Sequence, residues 1–150
     1  MQERIPYASV YKIQPVLAKS LMAIGDAALA SGLDVKLYHL VKLRASQLNG
    51  CAFCQHMHVN EARNDGETQT RLDVLPAWRE VPIFTTRERA ALNWTEALTE
   101  IAGKGVSAED FEKVSNEFTQ TEIINLTAVI VAINSWNRIA VGFGFIPKLD

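Results

Sequence analysis

Only two cysteines and three histidines occur among the 150 residues, so the chain has no disulfide framework of the kind that holds small secreted domains together. With 48% hydrophobic residues, a chain of this length can bury a sufficient core unaided. The cysteines are therefore not needed as staples. An excess of charge of one sign is also lacking: 15 Lys+Arg stand against 17 Asp+Glu, a net −2. Without a basic excess, nucleic acid is not an expected ligand. The first residues, "MQERIPYASVYKIQP", hold charges and a proline where an export signal needs a continuous apolar region, so the expected location is cytoplasmic. The most apolar run, "IINLTAVIVAINSW" at 123–136, is interrupted by Asn125 and Asn134 and followed by Asn137 and Arg138. It falls short of the roughly 20 apolar residues of a spanning helix, reads as a buried core helix, and implies no membrane partner. β-Branched runs bounded by hairpin turns are missing as well. No internal repeat, low-complexity segment or linker divides the sequence, so residues 1–150 are expected to form one domain.

What is present is helical spacing nearly everywhere, which predicts an all-α fold. One helix is expected from Pro15 to about Ala30, ended by Gly32, and a second from near Asp34 to Asn49-Gly50. A third should run from the cysteines to about Asn64, where Asp65-Gly66 supplies a turn. "ETQTRLDVL" can form a short helix before Pro76, and "AWREVPIF" reads as a loop anchored by Trp78 and Phe84. Thr86 is the expected cap of the helix "RERAALNWTEALTEIA", and Ser107 that of "AEDFEKVSNEF", with Asp110 as its capping-box partner. The last helix is expected from about Thr121 to Gly142. Apolar residues lie almost all round 123–133, so it must be covered on most sides, in part by a subunit interface if the chain assembles.

The chemistry concentrates in "NGCAFCQHMH", residues 49–58, which holds both cysteines and two of the three histidines. On a helix, Cys51, Cys54 and His58 fall within an arc of roughly 60° and share a face, whereas His56 stands about 140° from Cys51 and reads as a surface residue. A helix start after Asn49-Gly50 would put both thiols in the first turn, where free N–H groups and the dipole favour a thiolate. By the dipole alone Cys51 would be the nucleophile; His58, one turn beyond Cys54, is placed to take the proton of Cys54 instead. If the helices on either side of Gly50 fold back as a hairpin, His39 and His58 come to a similar height. A Cys54, His58, His39 relay is then geometrically possible, although His39 equally fits a solvated helix surface. The rival readings are two inert buried thiols and zinc held by the cysteines with His58 and His39 or His56. The spacing matches no common zinc signature, and no metal or other cofactor is expected. Glu61 and Glu67 read as the wet face of a helix, Trp78, Trp94 and Trp136 as core or interface, and Tyr7, Tyr11 and Trp136 as either a substrate entrance or an interface.

At "HLVKLRASQLNGCAFCQHMHVNEARNDGETQTRL", then "AWREVPIFTTRERAALNWTEALT", and again at "AVIVAINSWNRIAVGF", the chain resembles the AhpD-like alkylhydroperoxidase family within the carboxymuconolactone decarboxylase superfamily. The likeness spans about residues 33–100. It implies an all-helical bundle with the CxxC at the N-terminus of a central helix, assembled as a homo-oligomer, a trimer or a hexamer. It implies a thiol-dependent hydroperoxide reductase whose partners are a small hydroperoxide and a dithiol reductant protein or carrier. By the resemblance, Cys54 is the peroxidatic thiol, Cys51 the resolving thiol and His58 the relay histidine. Two positions depart from the family: His39 stands where it has a glutamate twelve residues before the first cysteine, and Phe53 where it has a histidine. A histidine can carry protons in place of a carboxylate, but it supplies no permanent negative charge. The alternatives are a disulfide reductase or redox sensor with little peroxide turnover, a carboxymuconolactone decarboxylase-like enzyme, and a zinc-binding structural module.

Overall fold

Capping residues set most of the helix boundaries. A computed structural model describes residues 2–148, and among these the chain forms helices and no strand. In order they are α1 (Tyr7–Ile13), α2 (Pro15–Ala30), α3 (Val35–Leu48), α4 (Ala52–Asn64), α5 (Gln69–Val74), a 3₁₀ stretch (Leu75–Glu80), α6 (Thr86–Thr99), α7 (Ile101–Lys104), α8 (Ala108–Glu117) and α9 (Gln120–Phe143). The Asp34 carboxylate accepts from the Leu37 N–H at 2.9 Å and opens α3. Ser107 with Asp110, and Thr119 with Glu122, form reciprocal capping boxes at α8 and α9.

The helix expected to run on to Ala102 breaks at Glu100, so that α6 ends at Thr99 and α7 stands apart, and three further expectations are corrected. The cap of α6 is Thr85, not Thr86, because only Thr85 stands three residues before the reciprocating Glu88. "AWREVPIF" is not all loop, since Ala77–Glu80 continue a 3₁₀ stretch; Trp78 and Phe84 are buried as expected. The third correction concerns α9, whose 24 residues are by length and composition enough to cross a membrane. In this fold α9 packs against α2, α3 and α6.

α3 holds the bundle together. Its Leu37 and Val41 join Ala91, Trp94, Leu126 and Ile130 in one core, while Leu40 and Leu43 face a second one with Leu75, Trp78 and Leu92. The residues that precede the cysteines are tied to α9 by a polar network. Asn137, 1% exposed, accepts from Asn49 Nδ2 at 2.9 Å and donates to Ser46 Oγ at 3.0 Å. Asn49 Nδ2 also reaches Asn134 Oδ1 at 3.0 Å. Buried amides cost stability unless they are paired, so Asn137→Leu is expected to lower unfolding free energy by about 1–3 kcal/mol in urea. A change within about 0.5 kcal/mol would mean that the network is not what tethers this turn.

Candidate active site

The turn into α4 brings the two cysteines together. Gly50 takes a positive φ of 64°, open to glycine and costly for other residues. The next N–H, that of Cys51, then donates to Ser46 O at 3.0 Å. Cys51 is the N-cap of α4, its Sγ accepting from the Cys54 N–H at 3.2 Å. The pair forms a disulfide, with Cα atoms 5.3 Å apart. Both residues are almost fully buried, packed with Val10, Ala140 and Phe145.

Along α4 the same helical face carries His58 and Glu61. The His58 Nδ1–H donates to Glu61 Oε2 at 2.8 Å, and Lys42 Nζ donates to the same oxygen at 3.4 Å. His39 is buried; its Nε2–H donates to Asp65 Oδ2 at 2.6 Å, and its Nδ1 lies 4.0 Å from Glu61 Oε2. Carboxylates only accept, so the ring nitrogens facing them carry the protons. His58 Nε2 and His39 Nδ1 are left buried without a partner. Burial holds the His58 imidazole below its ordinary value against the opposing pull of Glu61. Burial would raise Glu61, but the hydrogen bond from His58 and the Lys42 charge outweigh it and bring its carboxyl down to about 2. At neutral pH the site thus holds a neutral His58 beside a fixed anion.

Cys54, His58 and Glu61 open on a cavity of about 250 Å³ bounded by α1, α2, α3, α4 and α9. Tyr7, Tyr11 and Trp136 line it too. Of the two cysteines it is Cys54 that lines the cavity.

The structure therefore brings Cys51, Cys54 and His58 together, and His39 with them, although His39 meets His58 through Glu61 and not directly. His39 is not a solvated surface residue. His56 lies apart, bonded to Asn60 at 3.3 Å. Reading Glu61 and Glu67 as a wet face is overturned for Glu67, which is buried and paired with Arg71 at 3.0 Å; Glu61 is partly exposed as expected, yet it is also the hub of the network. The signal for Glu61 was available, since it follows Cys54 by seven residues and His58 by three and so shares their face. Among the described residues no three histidine, cysteine, aspartate or glutamate side chains converge as a metal-ligand set.

Residues 15–97 match the carboxymuconolactone decarboxylase family. The uncharacterized protein YdfG of Bacillus subtilis (strain 168) is 37% identical over 144 residues, 96% of each chain. A solved structure from Agrobacterium tumefaciens, ATU0492, described as a protein of unknown function with a suggested assignment as the antioxidant defence protein AhpD, is 42% identical. Its TM-score is 0.91, over 99% of this chain and 100% of that one. The debrominase Bmp8 shares the fold at 17% identity, with a TM-score of 0.81 over 91% of this chain and 74% of its own.

Proposed function

The chain belongs to the carboxymuconolactone decarboxylase family, and from that premise we propose that it is an AhpD-like hydroperoxide reductase in which Cys51 and Cys54 are the redox pair. The observation that carries this reading is a Cys51–Cys54 pair whose second member opens on a cavity shared with the His58–Glu61 couple. In the reduced state, His58 Nε2 accepts the Cys54 proton and Glu61 stabilises the resulting imidazolium. The Cys54 thiolate attacks the distal oxygen of ROOH, the O–O bond breaks, and ROH leaves with the proton returned by His58. Cys54–SOH then condenses with the Cys51 thiol, releasing water and forming the disulfide. A dithiol protein or carrier reduces the pair by thiol exchange and is itself oxidised. His39 and Asp65 stand behind Glu61 as a second proton-holding pair.

The test is a thiol count before and after a hydroperoxide, with zinc determined on the same sample. Two thiols per chain should be lost and then restored by dithiothreitol, without zinc. Thiols that resist peroxide, or stoichiometric zinc, would reject the reading. The near-complete burial of both sulfurs favours one alternative, a redox sensor with little turnover; steady consumption of peroxide in the presence of a dithiol separates the two.

A homo-oligomer, trimer or hexamer, is proposed alongside, supported by Ile124 and Val131, which leave exposed apolar surface on α9 at 68% and 55%. Light scattering should give three or six times the chain mass, and a monomer at micromolar concentration would reject it.

A further inference from the structure

Five aromatic rings form a continuous wall beside Cys54. Trp136 of α9 and Tyr11 of α1 lie nearly parallel, 17° apart in plane with centroids at 6.1 Å. Tyr11 meets Tyr7 edge-on at 4.9 Å, Tyr7 meets Phe53 at 5.0 Å, and Phe53 meets Phe145 at 5.3 Å. All five line the cavity. Three of them, Tyr7, Tyr11 and Trp136, together with Phe145, lie outside the matched residues 15–97, so the wall is largely built by parts of the chain beyond the family's matched segment. The Tyr7 hydroxyl donates to the Tyr11 hydroxyl at 2.8 Å, which engages the two polar tips with each other.

Size and charge narrow the occupant further. An apolar cavity of about 150 Å³ takes a benzene ring; in proportion, the 250 Å³ here takes about ten non-hydrogen atoms. The charged lining side chains are Asp26, Lys42 and Glu61, two carboxylates against one ammonium, and Lys42 is already paired with Glu61 at 3.4 Å. No cation is left over for an anionic head group. Hydrogen peroxide has no apolar surface to bury against the rings, and flat faces and edges favour a ring over a flexible chain.

We propose that this cavity selects an uncharged aromatic hydroperoxide, a single ring with a short hydroperoxyalkyl arm, laid against Tyr7, Tyr11 and Trp136 with the peroxide directed to Cys54. The assignment rests on the hydroperoxide reductase reading for its chemistry but not for its binding preference, so the two are tested apart. Binding to the oxidised protein is measured by calorimetry with three probes: 2-phenyl-2-propanol, its saturated-ring counterpart 2-cyclohexyl-2-propanol, and phenylacetate. The phenyl alcohol should bind at least about fivefold more tightly than the cyclohexyl one, a difference that two or so aromatic contacts can supply. It should bind at least about tenfold more tightly than phenylacetate, whose carboxylate would be desolvated with no free cation to pair it. Tyr11→Leu and Trp136→Leu, each checked for folding by circular dichroism, should each erase the phenyl-over-cyclohexyl preference. Equal or tighter binding of the cyclohexyl alcohol, tight binding of phenylacetate, or a preference unmoved in a folded Tyr11→Leu protein would overturn the proposal. Turnover is read with 2-phenylpropan-2-yl hydroperoxide against hydrogen peroxide, the former expected to have the higher kcat/KM. Aromatic binding without consumption of any peroxide sinks the reductase reading and leaves the cavity's selectivity; consumption without aromatic preference does the reverse.

Discussion

Cys54→Ser is expected to lower hydroperoxide consumption at least about a thousandfold, because a serine hydroxyl stays protonated where a thiol at a helix start ionises readily. Cys51→Ser should behave differently. It should consume one equivalent of peroxide per chain and stop with a sulfenic acid at Cys54, which dimedone would trap and peptide mapping would place. The order of roles is not decided by exposure, since Cys51 and Cys54 are 1% and 2% exposed. Nor is it decided by the dipole, which favours Cys51 at the N-cap. Two local facts favour Cys54: it lines the cavity, and it has His58 four residues on along the same face. Cys51 Sγ, by contrast, is turned back onto the Cys54 N–H. Trapping of the sulfenic acid at Cys51, in a Cys54→Ser protein that still reacts with peroxide, would reverse the assignment.

Local chemistry made most of the helices from Pro15 onward legible, though not the break between α6 and α7: the stop at Asn49-Gly50, the Ser107–Asp110 box and the apolar period of α9 each depend on residues three to seven apart. The same reach would have moved the α6 cap to Thr85, three residues before Glu88, and would have brought Glu61 into the site. α1 was not legible. It is seven residues long with no side-chain cap, and it is held by contacts far away in sequence: the Arg4 N–H to Phe143 O at 2.8 Å and the rings of Tyr7 and Tyr11 against Phe53, Phe145 and Trp136. A short helix of that kind is stabilised by tertiary packing and leaves little local signal. The cavity is illegible for the same reason, because its walls come from helices at both ends of the chain. His39 lies between these cases. A hairpin estimate put it at the height of His58, but only the structure shows that a carboxylate stands between the two rings.

That carboxylate carries the second large effect. Glu61→Gln is expected to slow peroxide reduction at pH 7 by about ten- to a hundredfold, less than the roughly 10⁴-fold loss when a buried carboxylate behind a catalytic histidine becomes an amide. The effect is smaller because the Glu61 side chain is partly exposed and water screens its charge. Glutamine can still accept the His58 Nδ1–H, so the ring need not turn; what disappears is the charge that stabilises the imidazolium formed when Cys54 gives up its proton. The loss should therefore shrink as pH rises and the thiol ionises without help, and Glu61→Asp, one methylene shorter but still anionic, should recover part of the neutral-pH rate. A merely structural role for Glu61 would instead scale the whole pH profile down without displacing it. Stability carries an independent signature. With the Glu61 carboxyl drawn from its ordinary 4.5 down to about 2, its contribution is complete above pH 4.5 and is lost as pH falls toward 2. His58, held below its ordinary 6.5 by burial, adds a loss in the same direction as pH falls below 6.5, because the unfolded chain binds that proton first. Acid titration of urea unfolding should therefore show two falling segments in the native protein. The Glu61→Gln variant should have a shallower lower one, the remainder being carried by Glu96, Asp110 and Glu122, whose carboxyls are also held low by hydrogen bonds. An unchanged pH–rate profile together with an unchanged acid limb would remove Glu61 from the relay and leave His58 as a proton acceptor without a charged partner.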